Sequence, residues 1–250
     1  MGLLRRIHPD SATVSVEEVV DGLDHAPMAP AARPYVFANM IGTADGKATI
    51  GGRSGPLGND ADRAMFQQLR TLPDAIMVGS GTLRAERYGR LVRDPALRER
   101  RKRRGLDPDP LGCVVTRSGR LPFDIPLFSE PGSRVVVYTS ADGPFPETAA
   151  DVSVIRMPAE EFTMTTVLER LRAEHGARSL LCEGGPTVLA ALLAEDLLDE
   201  LFLAVAPKLI GGADAPTVVD GTGLTDPREL DLAWVLESEG YLFLRYLTKR

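Results

Sequence analysis

Residues 179–212, SLLCEGGPTVLAALLAEDLLDELFLAVAPKLIGG, constrain the fold more than any other stretch. An apolar run stops at Cys182, a carboxylate follows at Glu183, and Gly184-Gly185-Pro186-Thr187 opens a helical pattern. The spacing predicts a strand, a glycine turn, a helix over about 186–195 and a second strand over about 199–206. The same alternation recurs upstream. YVFANMI from Tyr35 is β-rich, and NDADRAMFQQLRTL has Ala64, Phe66, Leu69 and Leu72 near one helical face, with Asn59 or Asp60 as N-cap. DAIMVGSGT, LGCVVT, RVVVYTS and VSVIRM read as strands, and a helix over about 163–175 carries Val167, Leu168 and Leu171. LAWVLESEGYLFLRYLTKR reads as an antiparallel hairpin turning at Glu239-Gly240. Strands alternating with helices imply an α/β domain with a mainly parallel sheet. Residues 1–33 read as a partly ordered arm, and residues 34–250 as one domain.

Bulk properties exclude several function classes. The 250 residues carry a formal net charge of −6, which argues against general affinity for nucleic acid or an anionic membrane. No apolar run approaches the roughly 18 residues of a transmembrane helix, and MGLLRRIHPD lacks the features of a signal peptide. Cys113 and Cys182 lie in strand-like runs, as reduced core residues of a cytoplasmic protein would. With three scattered histidines and no CxxC or HExxH, no metal site is expected. The basic run from Arg98 to Arg104 reads as a solvated helix or loop.

Two strand ends are glycine-rich, VGSGT at 78–82 and EGGPT at 183–187. In open α/β sheets ligands gather beyond the carboxyl ends of strands, where glycine lets them approach the backbone. A helix starting just after such a turn aims free N–H groups at a phosphate, and Pro186 suits that first position. A tight turn that only reverses the chain fits the same spacing. GSGTLR lacks the third glycine of a Rossmann fingerprint, so any dinucleotide is bound another way. Glu183 is the best-placed acid for chemistry, and Asp45 in TADGK is either a second candidate or a turn residue.

The segments VFANMIGTADGKAT, RSGPLG, RAMFQQLRTLPDAIMVGSGTL and LLCEGGPTVLAALLAEDLLDELFLAVAPKLIGG occur in that order. Together they resemble the reductase domain of the riboflavin-biosynthesis deaminase/reductase family, over about residues 34–248. The resemblance implies a dihydrofolate-reductase-like three-layer α/β/α fold with a C-terminal antiparallel hairpin. It also implies NADPH-dependent reduction of 5-amino-6-(5-phosphoribosylamino)uracil, or its deamination-related pyrimidine, to the ribitylamino product. Hydride would pass from the nicotinamide to C1′ of the opened sugar. A second reading keeps the cofactor and reduces another heterocycle, such as a dihydropteridine. A third is a nucleotide-binding relative without turnover. The family further implies a homodimer, and the missing zinc-deaminase signature implies a stand-alone reductase.

Carried over position by position, the NADPH residues are Ile41, Pro56, Thr82, Glu86, Arg117, Gly185, Pro186, Thr187, Val188 and Leu189. Arg117, flanked by Thr116 and Ser118, suits the 2′-phosphate of NADPH. Substrate positions are Ser54, Arg70, Arg93 and Glu183, the arginines clamping a terminal phosphate and Glu183 meeting the pyrimidine or sugar. Glu183 and then Asp45 are the candidate proton donors. The chain departs from the family pattern where D-D-P-x-L-T-x-R is replaced by Glu86-Arg87-Tyr88-Gly89-Arg90-Leu91-Val92-Arg93. Tyr88 and Arg90 then alter the wall that faces the substrate.

Overall fold

The computed structural model describes residues 3–221 and 223–249. Met1, Gly2 and Arg250, the ends of the predicted arm and domain, lie outside the described residues, as does Thr222. In chain order the first elements are β1 (Leu4–His8), β2 (Ala12–Val14), α1 (Val16–Asp21), β3 (Tyr35–Thr43), α2 (Asp60–Leu69) and β4 (Ala75–Gly79). Next come α3 (Ser80–Glu86), α4 (Pro95–Arg103), β5 (Leu111–Thr116), α5 (Pro126–Ser129), β6 (Arg134–Thr139) and β7 (Asp151–Arg156). The last are α6 (Met164–His175), β8 (Ser179–Cys182), α7 (Pro186–Ala194), β9 (Glu200–Ala206), β10 (Leu230–Ser238) and β11 (Tyr241–Thr248).

The chain divides into two compact units. One comprises residues 25–35 and 70–185, the other residues 1–24, 36–69 and 186–250. In the first, five strands lie in the order β8-β4-β5-β6-β7, and the pairings β4–β8, β4–β5, β5–β6 and β6–β7 are all parallel. Strands buried on both faces need unbroken apolar sequence, and β4 (AIMVG) and β8 (SLLC) are buried at every position. In the second unit the order is β2-β1-β10-β11-β9-β3, parallel only at β3–β9. There β9 alternates buried and half-buried residues, as a strand with unlike faces does. The hairpin β10–β11 turns at Glu239 and Gly240, both at positive φ (52° and 80°), a geometry that favours glycine.

Three expectations are changed by the structure. Residues 4–21, within the stretch read as an arm, form regular elements: β1 pairs antiparallel with β10, and Ser15 and Glu18 close a capping box on α1. Strands of three to five residues carry too little periodicity to announce themselves. On α2 the buried residues are Met65, Gln68 and Leu69, not the stripe through Ala64 and Phe66. Gln68 belongs to the buried face because its amide donates to Glu17 Oε1 at 3.2 Å. The basic run does form helix α4, but its face is not wholly solvated. Arg101 is fully buried, giving hydrogen bonds to the carbonyls of Arg70 (3.0 Å), Pro73 (2.8 Å) and Asp107 (2.8 Å). Loop carbonyls inside a protein need donors, and a buried guanidinium supplies several at once. Burial lowers its pKa to about 10, so it remains charged at neutral pH.

Candidate active site

In the unit formed by residues 25–35 and 70–185, the two glycine-rich strand ends are neighbours. The Glu183 amide donates to Met77 O at 3.0 Å, and the Gly79 amide donates to Gly184 O at 2.9 Å. Gly184 sits at φ 84°, which any side chain would resist, and the Gly184–Gly185 peptide is cis. At Gly185 a Cβ would stand 2.7 Å from Thr82 Oγ1 in the first turn of α3. Two backbone turns therefore converge with space for hydrogen but not for a methyl group.

Beside this turn lies a closed cluster of three polar side chains. Arg70, just after α2, donates from Nε to Glu183 Oε1 and from Nη2 to Oε2, each at 2.6 Å. Its Nη1 donates to Leu91 O at 2.7 Å. Tyr88 Oη donates to Glu183 Oε2 at 2.8 Å, and the Arg70 guanidinium lies 5.4 Å from the Tyr88 ring centroid. The Glu183 side chain is only 1% exposed and that of Arg70 12%, so water does not screen the pair. The Glu183 charge holds the Arg70 guanidinium protonated against the cost of its burial. Burial, with the Glu183 charge beside it, pushes the Tyr88 phenol well above the usual tyrosine range.

The loop carrying Tyr88 is fixed at several points. Arg87 ends α3 in the left-handed region (φ 48°), and Tyr88 O accepts from the Leu127 amide at 3.0 Å. Arg90 donates to Asp109 at 2.7 and 3.0 Å, and Arg98 shares the same carboxylate at 3.2 Å. Arg90 thus serves loop architecture. Tyr88 is the functional candidate whose role the sequence left unassigned; its signal was a phenol standing where the family pattern has proline.

Residues 34–240 match the family model described as the RibD C-terminal domain. The chain belongs to that family. It is 34% identical over 194 residues to the 2,5-diamino-6-ribosylamino-4(3H)-pyrimidinone 5′-phosphate reductase of Archaeoglobus fulgidus, covering 76% of this chain and 87% of that one. Among solved structures it is similar to a pyrimidine reductase-like protein from Corynebacterium diphtheriae, with a TM-score of 0.81 and 27% identity, over 95% of this chain and 100% of that chain. The deaminase/5-amino-6-(5-phosphoribosylamino)uracil reductase of Thermotoga maritima shares the fold, with a TM-score of 0.68 at 21% identity over 87% and 57% of the two chains. The dihydrofolate-reductase-like α/β fold expected from the RibD resemblance is the fold observed.

The RibD-type positions divide between the units. Thr82, Glu86, Arg93, Arg117 and Gly185 fall in the same unit as Arg70 and Glu183. Arg117, exposed at the end of β5, lies over the Phe162 ring (5.0 Å) and donates to Phe162 O at 3.1 Å. Beside it, Thr116 Oγ1 is buried without a hydrogen-bond partner among the described residues. Arg93 is exposed and in no ion pair among the described residues, its guanidinium close to where a Gly89 side chain would stand.

Asp45, Ile41, Ser54, Pro56, Pro186, Thr187, Val188 and Leu189 lie in the other unit. Ile41 is half-buried on β3 and Ser54 precedes the short turn Gly55–Leu57. Pro56 O accepts from Lys208 Nζ at 2.8 Å. Pro186 opens α7, its carbonyl accepting from the Asp220 amide at 3.4 Å; Thr187 is exposed, Val188 half-buried and Leu189 buried. Asp45 accepts from Thr43 Oγ1 at 2.5 Å and from the amides of Gly211 at 2.7 Å and Ile210 at 3.2 Å. Those bonds, the Thr43 hydroxyl first, hold its carboxyl below the usual range. Asp45 clasps the TADGK loop to the Ile210-Gly211 loop.

Proposed function

We propose that the chain is an NADPH-dependent reductase of a ribosylamino-pyrimidine 5′-phosphate in riboflavin biosynthesis. Two archaeal relatives carry the pyrimidinone phosphate reductase activity in their names, and a bacterial relative is named as a riboflavin biosynthesis protein. The observation that carries the reading is the Glu183-Gly184-Gly185 turn, tied to the β4–α3 turn, where Gly81 has open space at its Cβ position. The residues present fit NADPH. Gly81 leaves open space where a Cβ would stand at the start of α3, and the exposed Arg117 cation at the end of β5 suits a phosphate. Thr82, Glu86, Arg117 and Gly185 would hold the cofactor, as would Ile41, Pro56, Pro186, Thr187, Val188 and Leu189. When bound, NADPH would supply the hydride that reduces C1′ of the ring-opened imine, whose nitrogen would take its proton from solvent.

The chain's own groups then position and exclude. Arg70 is committed to Glu183 and to the Leu91 carbonyl, so its task is to orient the carboxylate, and the exposed Arg93 is the arginine for a phosphate. Ser54 remains assigned to the substrate. Neither acid suits proton donation: Glu183 is ion-paired and buried, and Asp45 is held ionised by its loop. Catalysis therefore rests on orientation of the reacting atoms. Cytoplasmic placement belongs to this reading, supported by the unpaired, buried thiols of Cys113 and Cys182. Among the described residues no helix is long and apolar enough to cross a membrane.

A homodimer also belongs to it. On β9, β10 and β11 one face presents Leu201, Leu203, Val205, Val235, Leu242 and Leu244, none fully buried, while Phe202, Trp234 and Phe243 fill the opposite face. An apolar sheet face left half-covered is stabilised by a second copy of itself. Sedimentation should give twice the chain mass, and Leu244→Glu should give the monomer. A wild-type monomer at micromolar concentration would remove the dimer from this reading.

The deciding experiment titrates the protein with NADPH and NADH, then adds the diamino-pyrimidinone and the amino-uracil phosphates while following nicotinamide absorbance. NADPH should bind more tightly by tenfold or so, on the order of one phosphate–arginine contact, and absorbance should fall with one of the two. Oxidation with a dihydropteridine alone would favour the second heterocycle reading. Absence of NADPH binding would reject the reductase reading.

A further inference from the structure

Resting on the reductase reading above, we infer that Tyr88 is the group through which the Arg70–Glu183 pair meets the substrate, and that its hydroxyl selects a substrate bearing a hydrogen-bond donor at that point. Glu183 and Arg70 satisfy one another, with side chains 1% and 12% exposed, and a ligand cannot reach the carboxylate past its partners. Tyr88 and Arg70 are half-buried and Glu183 is buried behind them, and of the two only the Tyr88 hydroxyl keeps an acceptor lone pair for a ligand. It stands on the loop that follows α3, at the carboxyl end of β4, where parallel α/β sheets gather their ligands.

The chemistry of the hydroxyl follows from where its proton goes. A phenol has one proton and two lone pairs. The proton is directed at Glu183 Oε2 across 2.8 Å. The phenol is held in its protonated form by burial and by the adjacent carboxylate. What remains for a ligand is acceptor capacity alone. A sugar hydroxyl or a pyrimidine N–H is served by it; a carbonyl or phosphate oxygen is not.

The aim of the hydroxyl is set by backbone rather than by chance packing. Tyr88 O is fixed by the Leu127 amide, Leu91 O is fixed by Arg70, and Arg87 sets the direction of the loop at the end of α3. The acid-acid-proline form of this loop offers no phenol at the same position, so the selection is a property of this chain.

Tyr88→Phe tests the inference with KM, kcat and the NADPH Kd measured separately. KM for the pyrimidine phosphate should rise about tenfold, with kcat and the NADPH Kd within about twofold of wild type. Two substrate analogues locate the donor, one lacking the sugar 2′-hydroxyl and one lacking the 5-amino group. One of them should lose about tenfold against wild type and nothing further against Tyr88→Phe. Should Tyr88→Phe fold poorly, the two analogues assayed on the wild-type protein alone serve: one of them should lose about tenfold in KM against the full substrate, and no loss with either overturns the inference. A KM within twofold of wild type overturns the inference. So does a collapse of kcat at unchanged KM, which would make the phenol a proton donor. Absence of turnover by the wild-type protein overturns the reductase reading itself, and this inference with it.

Discussion

Replacing Glu183 by alanine is expected to cost about 3–5 kcal/mol of folding stability, because it leaves a buried guanidinium without its counter-charge. Arg70 donates two of its three bonding nitrogens to Glu183, and its side chain is 12% exposed. Glu183→Gln keeps the shape and an acceptor oxygen but loses the charge, and should fall between alanine and wild type. Denaturant midpoints for the three proteins check this. A loss below about 1 kcal/mol in the alanine variant would mean that Arg70 swings out to solvent, as an exposed ion pair does. The result also separates roles. An acid that serves only as a substrate ligand could be removed with activity lost and stability kept.

Gly185→Ala is expected to raise the NADPH Kd about 10- to 100-fold. The added methyl would meet Thr82 Oγ1 at 2.7 Å, and overpacking of this kind costs about 1–3 kcal/mol. Isothermal titration with NADPH reads the effect directly. Adding Thr82→Ala removes the atom that clashes and should restore the melting temperature. It should not restore NADPH affinity, since Thr82 is itself among the residues assigned to the cofactor. NADPH bound by Gly185→Ala within twofold of wild type would mean that the turn does not face the nucleotide.

The order of strands and helices was legible wherever apolar residues ran long enough to show a period. The helices at 164–175 and 186–194 and the hairpin at Glu239-Gly240 lie where spacing put them. The region between residues 84 and 110 was opaque because its determinants are long-range. Arg101 sits in a run of charges, and nothing local shows that the carbonyls of Arg70 and Pro73, 31 and 28 positions away, claim its guanidinium together with that of nearby Asp107. The site divides in the same way. Glycine turns announce themselves, since only glycine tolerates the backbone they need. The partnership of Arg70 with Glu183 spans 113 positions, and that of Tyr88 with Glu183 spans 95. Each residue alone reads as a helix-end cation, a loop aromatic or a turn acid. Asp45 shows the converse: an Asp-Gly pair reads as a turn, and its carboxylate in fact joins two loops.

The strand pair β4–β8 is fastened at both ends. At the start, Asp74 Oδ2 accepts from the amides of Arg178 and Ser179 at 2.9 Å and from Ser179 Oγ at 3.0 Å. At the finish, the Gly79 amide meets Gly184 O. A pair this short and this buried has no frayed end from which to open, so its fluctuations belong to the slow, cooperative kind that involve a whole unit. The glycine turns are thereby held as a rigid edge, which fixes where a ligand's backbone contacts can fall.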